Sequence, residues 1–164
     1  MNKFMNNINH NLNLARNSPT RFSVVNQLRG RVAVISLGEV NVEIVVLLSG
    51  QETLVATVGL SAFESMNLQL NSRVIVLVKE NSILISNPES CSLLSTRNTL
   101  AGTVIDIKYG LINNEIALQT DSGIKLLASI SHEELSEFDC KMGDQVCANF
   151  KANDVILVIS NTNI

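Results

Sequence analysis

Tryptophan is absent and tyrosine occurs once in the 164 residues. A core without large aromatic side chains has to be assembled from Val, Ile and Leu, and the abundance of β-branched residues tilts the chain towards strands. Charge is also scarce: charged residues make up 16% of the chain and hydrophobic ones 46%, with a formal net charge of −3. That composition supports a buried core and argues against global disorder. It lacks the basic excess with which a dedicated nucleic-acid binder collects phosphates. The three cysteines, Cys91, Cys140 and Cys147, form no CxxC pair, so neither a disulfide framework nor a zinc site is expected, and buried thiols in a reducing cytosol are. The beginning of the sequence carries no apolar stretch of secretory-signal length, and no run of about 18 apolar residues occurs. The expectation is a soluble, cytoplasmic protein with no membrane partner. No P-loop, no nucleophile elbow and no paired His at metal-ligand spacing occurs. His10 and His132 read as surface residues, Glu133 and Glu134 as solvent-facing, and no enzyme, catalytic residue, catalytic cofactor or bare metal ion is expected.

What the sequence does contain is a repeat. At an offset of 72 residues, with no gaps, Ser23 meets Ser95, Asn26 meets Asn98 and Gly30 meets Gly102. Gly38 meets Gly110, Asn41 meets Asn113 and Glu43 meets Glu115, while Lys79 meets Lys151 and Asn81 meets Asn153. The division between copies falls near Asn87-Pro88-Glu89-Ser90, a turn-forming polar stretch. Residues 1–22 are Asn-rich and read as a flexible N-terminal tail, with a short helix through Phe4, Ile8 and Leu12 as the weaker alternative. Residues 23–87 and 95–160 are the two modules.

Each copy reads as strands around one helix. In the first, Leu28–Leu37 is broken by Gly38, Asn41–Leu48 alternates, and Ser49-Gly50-Gln51-Glu52 is a hairpin turn into Thr53–Val58. Ser61–Leu68 suits two helical turns with Phe63, Met66 and Leu68 on its apolar side, followed by strands at Arg73–Lys79 and Ile83–Ser86. The second copy repeats the order, with Ser131–Phe138 as its helix. The fold class is therefore mainly β, with two tandem OB-like five-stranded barrels and one short helix in each. A core of sixty-odd residues is small for independent stability, so the modules are expected to pack together and the chain to oligomerise.

Ser95-Thr96-Arg97-Asn98-Thr99-Leu100-Ala101-Gly102-Thr103-Val104 resembles the S-A-R-N-x-[hydrophobic]-x-G-x-[V/I] opening of the Mop (TOBE) domain. The resemblance continues through Gly110 and Asn113-Asn114-Glu115-Ile116 and ends in Lys151-Ala152-Asn153-Asp154-Val155-Ile156, similar to the closing K-A-[T/S]-x-V-[I/M]. The first copy departs from it, with Val25 where the motif has Arg. The string Ala15-Arg16-Asn17 is not followed by the hydrophobic-x-Gly and is set aside. The resemblance implies molybdate, and often tungstate, held at interfaces between modules, where the Ser/Arg segment of one module and the helix start and Lys of another close the site together. It points to a molbindin, a protein made only of Mop modules that stores or buffers the ion. A sensing or transport accessory subunit is the alternative. It further implies a homo-oligomer, a trimer of two-module chains before a dimer, and no nucleic acid as partner.

The chemistry agrees. Molybdate is a tetrahedral dianion with four acceptor oxygens and no donor at neutral pH, so its site needs hydroxyls, N–H groups and fixed cations. Ser95 and Arg97 alternate on an extended segment and share a face. Arg97 offers a planar fork of donors. Ser131 opens the short helix, where free N–H groups favour an anion, and Lys151 adds a point charge. The candidate ligand-binding residues are Ser95, Thr96, Arg97, Asn98, Ser131 and Lys151, with Lys79 and Ser23 as the first-module counterparts. The glycines are read as serving backbone geometry.

Overall fold

The computed structural model of the chain describes residues 22–160. The expectations for the Asn-rich N-terminal segment, for Ala15-Arg16-Asn17 and for His10 lie outside the described residues. Within them, strands alternate with short connections: β1 (Asn26–Leu37), β2 (Asn41–Leu48), β3 (Thr53–Gly59), α1 (Leu60–Met66), β4 (Arg73–Val78) and β5 (Leu84–Ser86), then β6 (Asn98–Lys108), β7 (Asn113–Gln119), β8 (Lys125–Ser131), α2 (His132–Phe138), β9 (Gln145–Phe150) and β10 (Ile156–Ile159). The protein is mainly β, and the two five-stranded sheets form OB-like units.

The strands arise where alternation or continuous apolar runs demand them. In β2, Val42, Ile44, Val46 and Leu48 are buried while the residues between them lean outward, the period of a sheet with one face on the core. Gly50 and Gln51 both take positive φ, +89° and +73°, the backbone that a tight hairpin turn requires. Gly102 faces Gln119 so closely that a Cβ there would stand 2.7 Å from its carbonyl oxygen. Just beyond Gly30 and Gly102, β1 and β6 each carry a bulge, at Val32/Val34 and Val104/Asp106. The helices are seven residues each. Helix α1 stops at Asn67 and α2 at Asp139, both in the left-handed conformation. Phe63, Met66, Leu135 and Phe138 pack on the core from the helices, and buried Leu68 and Cys140 do so from the segments that follow them.

The sheets do not respect the division between the copies. One sheet runs β10-β4-β1-β2-β3, and the other β5-β9-β6-β7-β8. The last strand of each copy has therefore crossed to the other: β5 pairs with β9 through Ser86 and Cys147, and β10 with β4 through Ile156 and Leu77. The crossing segments are 3-10 turns at Glu80–Ser82 and Ala152–Asp154, which lie against β8 and β3 of the opposite sheet. A sequence boundary near Asn87 thus separates the copies of the repeat but not the sheets. The reason is one of edges: a short fifth strand covers a neighbour's open edge as well as its own, and the exchange joins two small cores. Buried residues from both copies, among them Ile44, Leu54, Ile116, Leu118, Leu126 and Phe150, belong to one contiguous apolar cluster.

Two polar residues in this interior behave differently. Asn149 on β9 is fully buried, and its amide donates to the Ser86 hydroxyl at 2.8 Å and the Leu84 carbonyl at 3.1 Å, while its oxygen accepts from Thr99 at 3.0 Å. It pins the crossed β5 in place. Asn114 on β7 is 1% exposed, yet neither of its amide atoms has a hydrogen-bond partner. The first copy has Val42 at this position. Because a buried unpaired polar group costs about 1–3 kcal/mol, Asn114→Val is expected to stabilise the protein by roughly 1–2 kcal/mol. At this chain length that corresponds to a melting temperature raised by roughly 2–6 °C, and calorimetric melting of the two forms checks it.

Candidate functional site

The opening segment of each copy is held by an asparagine. Asn98 is 2% exposed; its Nδ2 donates to the Val55 carbonyl at 2.8 Å and its Oδ1 accepts from the Val55 N–H at 2.7 Å. Asn26 does the same to Leu127, at 2.8 Å in both directions. Val55 lies on β3 and Leu127 on β8, the edge strands of the two sheets. Each amide imitates one more residue of a ladder, pairing a backbone donor and acceptor that an edge strand leaves open. Asn98 was expected among the anion donors. Both ends of its side chain are instead committed to the backbone of the first copy, so its role is to fix the segment that carries Ser95 and Arg97.

From that anchor the site residues can be placed. Asn98 pairs with Phe150 across β6 and β9, so the next residues outward are Arg97 on one strand and Lys151 on the other. Both are exposed, as is Ser95. The structure thus brings Ser95, Arg97 and Lys151 to the same end of one ladder. Thr96 turns the opposite way, its hydroxyl buried without a partner, so it does not join them. Arg97 leans across to the first copy and grips Glu43 on β2 end-on, with Nη1 to Oε2 at 2.7 Å and Nη2 to Oε1 at 2.9 Å. This fork, helped by the nearby negative charge, raises the Arg97 pKa further above its ordinary range.

In the equivalent half-site Asn26 pairs with Val78, which puts Val25 and Lys79 at the ladder end, both exposed, near exposed Ser23. The anchor of this half is Leu127, four residues before Ser131. The resemblance joins the Ser/Arg segment of one module to the helix start and lysine of another; within one chain Ser131 lies on the side of the Val25 half, whose Asn26 is anchored at Leu127. Its helix end is also partly capped by its own side chains. The Ser131 hydroxyl accepts from the Glu134 N–H at 3.1 Å, and the Glu134 carboxylate accepts from the Ser131 N–H at 2.9 Å. These two bonds hold the Glu134 pKa below its usual range. A capping box has taken two of the first-turn donors and placed a carboxylate at the helix start. Glu134 is exposed, as expected, but it is not idle.

The sequence matches the TOBE domain family twice, over residues 23–85 and 94–157. The chain belongs to the TOBE domain family. Among relatives of these TOBE modules, the molybdenum transport protein ModE of Azotobacter vinelandii is 31% identical over 137 residues, 84% of this chain and 50% of that protein. Molybdenum-pterin-binding protein 1 of Clostridium pasteurianum is 34% identical over 65 residues, 40% of this chain and 96% of that protein. The chain spans about half the length of the ModE proteins it matches. A solved structure of the cytoplasmic molybdate-binding protein ModG with molybdate bound has a TM-score of 0.81 and 33% identity, covering 86% of this chain and 100% of that chain. Two TOBE copies in that fold account for the tandem OB-like units read from the repeat.

Sequence reasoning missed Glu43 as a member of the site, although its recurrence as Glu115 was a signal that the position matters. It also missed Asn149, a polar residue where the first copy carries Leu77. The cysteines are free; Cys140 and Cys147 are buried, but Cys91 is only partly so. Burial and the neighbouring Cys91 push the Cys147 thiol up to about 11, leaving it un-ionised at neutral pH. Among the described residues no helix is long and apolar enough to cross a membrane, and no group of His, Cys, Asp and Glu is placed to hold a metal ion.

Removing the Asn98 amide would leave the Val55 N–H and carbonyl unpaired at the junction of the copies. Asn98→Ala is expected to cost about 2–3 kcal/mol, seen as a melting temperature lower by roughly 5 °C or more. Asn26→Ala should behave alike, since the two contacts are mirror images. A loss confined to one of the two in thermal melts would contradict this account of the junction.

Proposed function

We propose that the chain binds molybdate, with tungstate as its close substitute, and serves to store or buffer that ion in the cytoplasm rather than to catalyse a reaction. The observation that carries the reading is the position of Arg97 and Lys151 at one ladder end, one step beyond the Asn98–Phe150 pair, with Ser95 on the same opening segment. Two cations and a compact hydroxyl suit a tetrahedral dianion better than they suit a metal cation or a neutral ligand. The match to ModG, described as a cytoplasmic molybdate-binding protein, supports the same ligand and compartment. A sensing or transport accessory role uses the same chemistry, and the partial match to ModE keeps it as the second reading.

A single chain brings Arg97, Ser95 and Lys151 to open surface, so the reading includes closure of the site by another copy, which supplies the remaining donors. The hairpin tips favour such contacts: Leu37 and Val40 on one, and Tyr109, Leu111 and Ile112 on the other, are all exposed. A trimer of two-module chains is favoured over a dimer, and light scattering should return a mass well above one chain at micromolar concentration. The acidic balance of the chain runs against a nucleic-acid partner.

Lys151→Ala is expected to lose affinity for molybdate by the roughly 2–5 kcal/mol typical of breaking a desolvated charge pair, about 30-fold or more. Its ligand-free melting temperature and mass in solution should stay those of the parent, because Lys151 is exposed. Titration calorimetry and thermal melts check both points. Molybdate should raise the melting temperature of the parent by mass action and do so more than sulfate at equal concentration. Equal protection by sulfate would reduce the site to a general anion patch.

A further inference from the structure

The guanidinium that the proposed site depends on is already occupied. Glu43 holds Arg97 by two parallel bonds, 2.7 and 2.9 Å long. The side chains are 57% and 37% exposed, so the fork stands at the surface rather than in the core. A carboxylate in this position makes the same contact that an oxyanion makes with an arginine: two oxygens on two Nη groups. An incoming anion has two ways to reach Arg97. It displaces Glu43 from the fork, or it takes the Nε edge with the carboxylate charge still close by. In both, Glu43 opposes it, by competition in the first and by like-charge repulsion in the second.

We propose that Glu43 is an internal competitor that sets the threshold for anions at Arg97, and is thereby a specificity-determining residue of the site. The proposal rests on the reading of Arg97 and Lys151 as the anion-holding pair. A monovalent ion such as chloride offers one charge and no second oxygen for the fork, so it gains less from Arg97 than the pair with Glu43 gives up. A tetrahedral dianion brings two charges and spans towards Lys151, so it recovers more. The empty site therefore stays closed to the abundant small anion and opens to the doubly charged one. The arrangement occurs on one side of the molecule only. At the equivalent positions stand Glu115 and Val25, and valine has no guanidinium for a carboxylate to hold.

Glu43→Gln keeps the shape and removes the charge, and its exposure leaves the core untouched. Calorimetry with sodium molybdate, at low and at 0.5 M sodium chloride (roughly one Debye length of 4 Å at the higher salt), is the test. The Gln variant should bind molybdate roughly threefold to tenfold more tightly than the parent, the size expected from removing one nearby like charge, and should lose more of that affinity to chloride. The gain should vanish in the Glu43→Gln, Arg97→Ala double variant. Unchanged or weaker binding in Glu43→Gln, with the parent binding normally, overturns the competitor role and leaves the molybdate reading standing. If the parent does not respond to molybdate but the Gln variant does, the proposed function of the native chain fails while the role of Glu43 holds. Silence from both removes both.

Discussion

The side-chain amides of Asn26 and Asn98 each pair a backbone N–H and carbonyl on the opposite copy, at Leu127 and Val55. The remaining architecture is organised about these contacts. They cap the open outer edges of β3 and β8, they fix where each opening segment enters its sheet, and they set the two copies in a near-symmetric relation. Strand exchange completes the same junction from the other end of each copy. With β5 in one sheet and β10 in the other, neither copy can leave without breaking a ladder. Small cores that lack aromatic bulk are joined in this way into one apolar cluster, which suits a chain whose modules are short for independent folding.

The same near-symmetry makes the differences between copies informative. Two ladder ends are built alike, each with a lysine one step beyond a buried valine or phenylalanine. One has Arg97 and the carboxylate that answers it, Glu43. The other has Val25, and the helix start on its side carries the Ser131–Glu134 capping box. The backbone of the proposed anion site is thus present twice, while the Arg–Lys pair is present once. Asn114 shows the same divergence in the core, where its unpaired amide stands in place of the first copy's Val42.

The sequence was most legible where one signal had one structural meaning. Alternation in Asn41–Leu48, the Gly50-Gln51 turn and the short apolar pattern through Phe63 and Met66 placed the strands, hairpin and helix within a residue or two. The match between copies gave two equal units. Strand exchange was hidden, because Leu84–Ser86 and Ile156–Ile159 have the same pattern whichever sheet receives them, and a 3-10 turn such as Glu80–Ser82 does not announce its direction. At the site, the Asn98–Phe150 pair sets Arg97 and Lys151 at one ladder end. The Ser131–Glu134 box follows from local spacing at i, i+3, whereas Asn98 is paired with a backbone 43 residues away, which local spacing cannot carry. Glu43 lies 54 residues from Arg97, and only the fold makes them neighbours.

The central claim is that one of the two ladder ends is a competent oxyanion site and the other is not. Crystals soaked in tungstate, measured at the tungsten absorption edge, locate the ion without reference to affinity or stability. The account predicts an anomalous peak within hydrogen-bonding reach of Arg97 and Lys151, and none of comparable height beside Val25 and Lys79. Equal peaks at both ends, a peak only beside Val25, or no peak at Arg97 would contradict it.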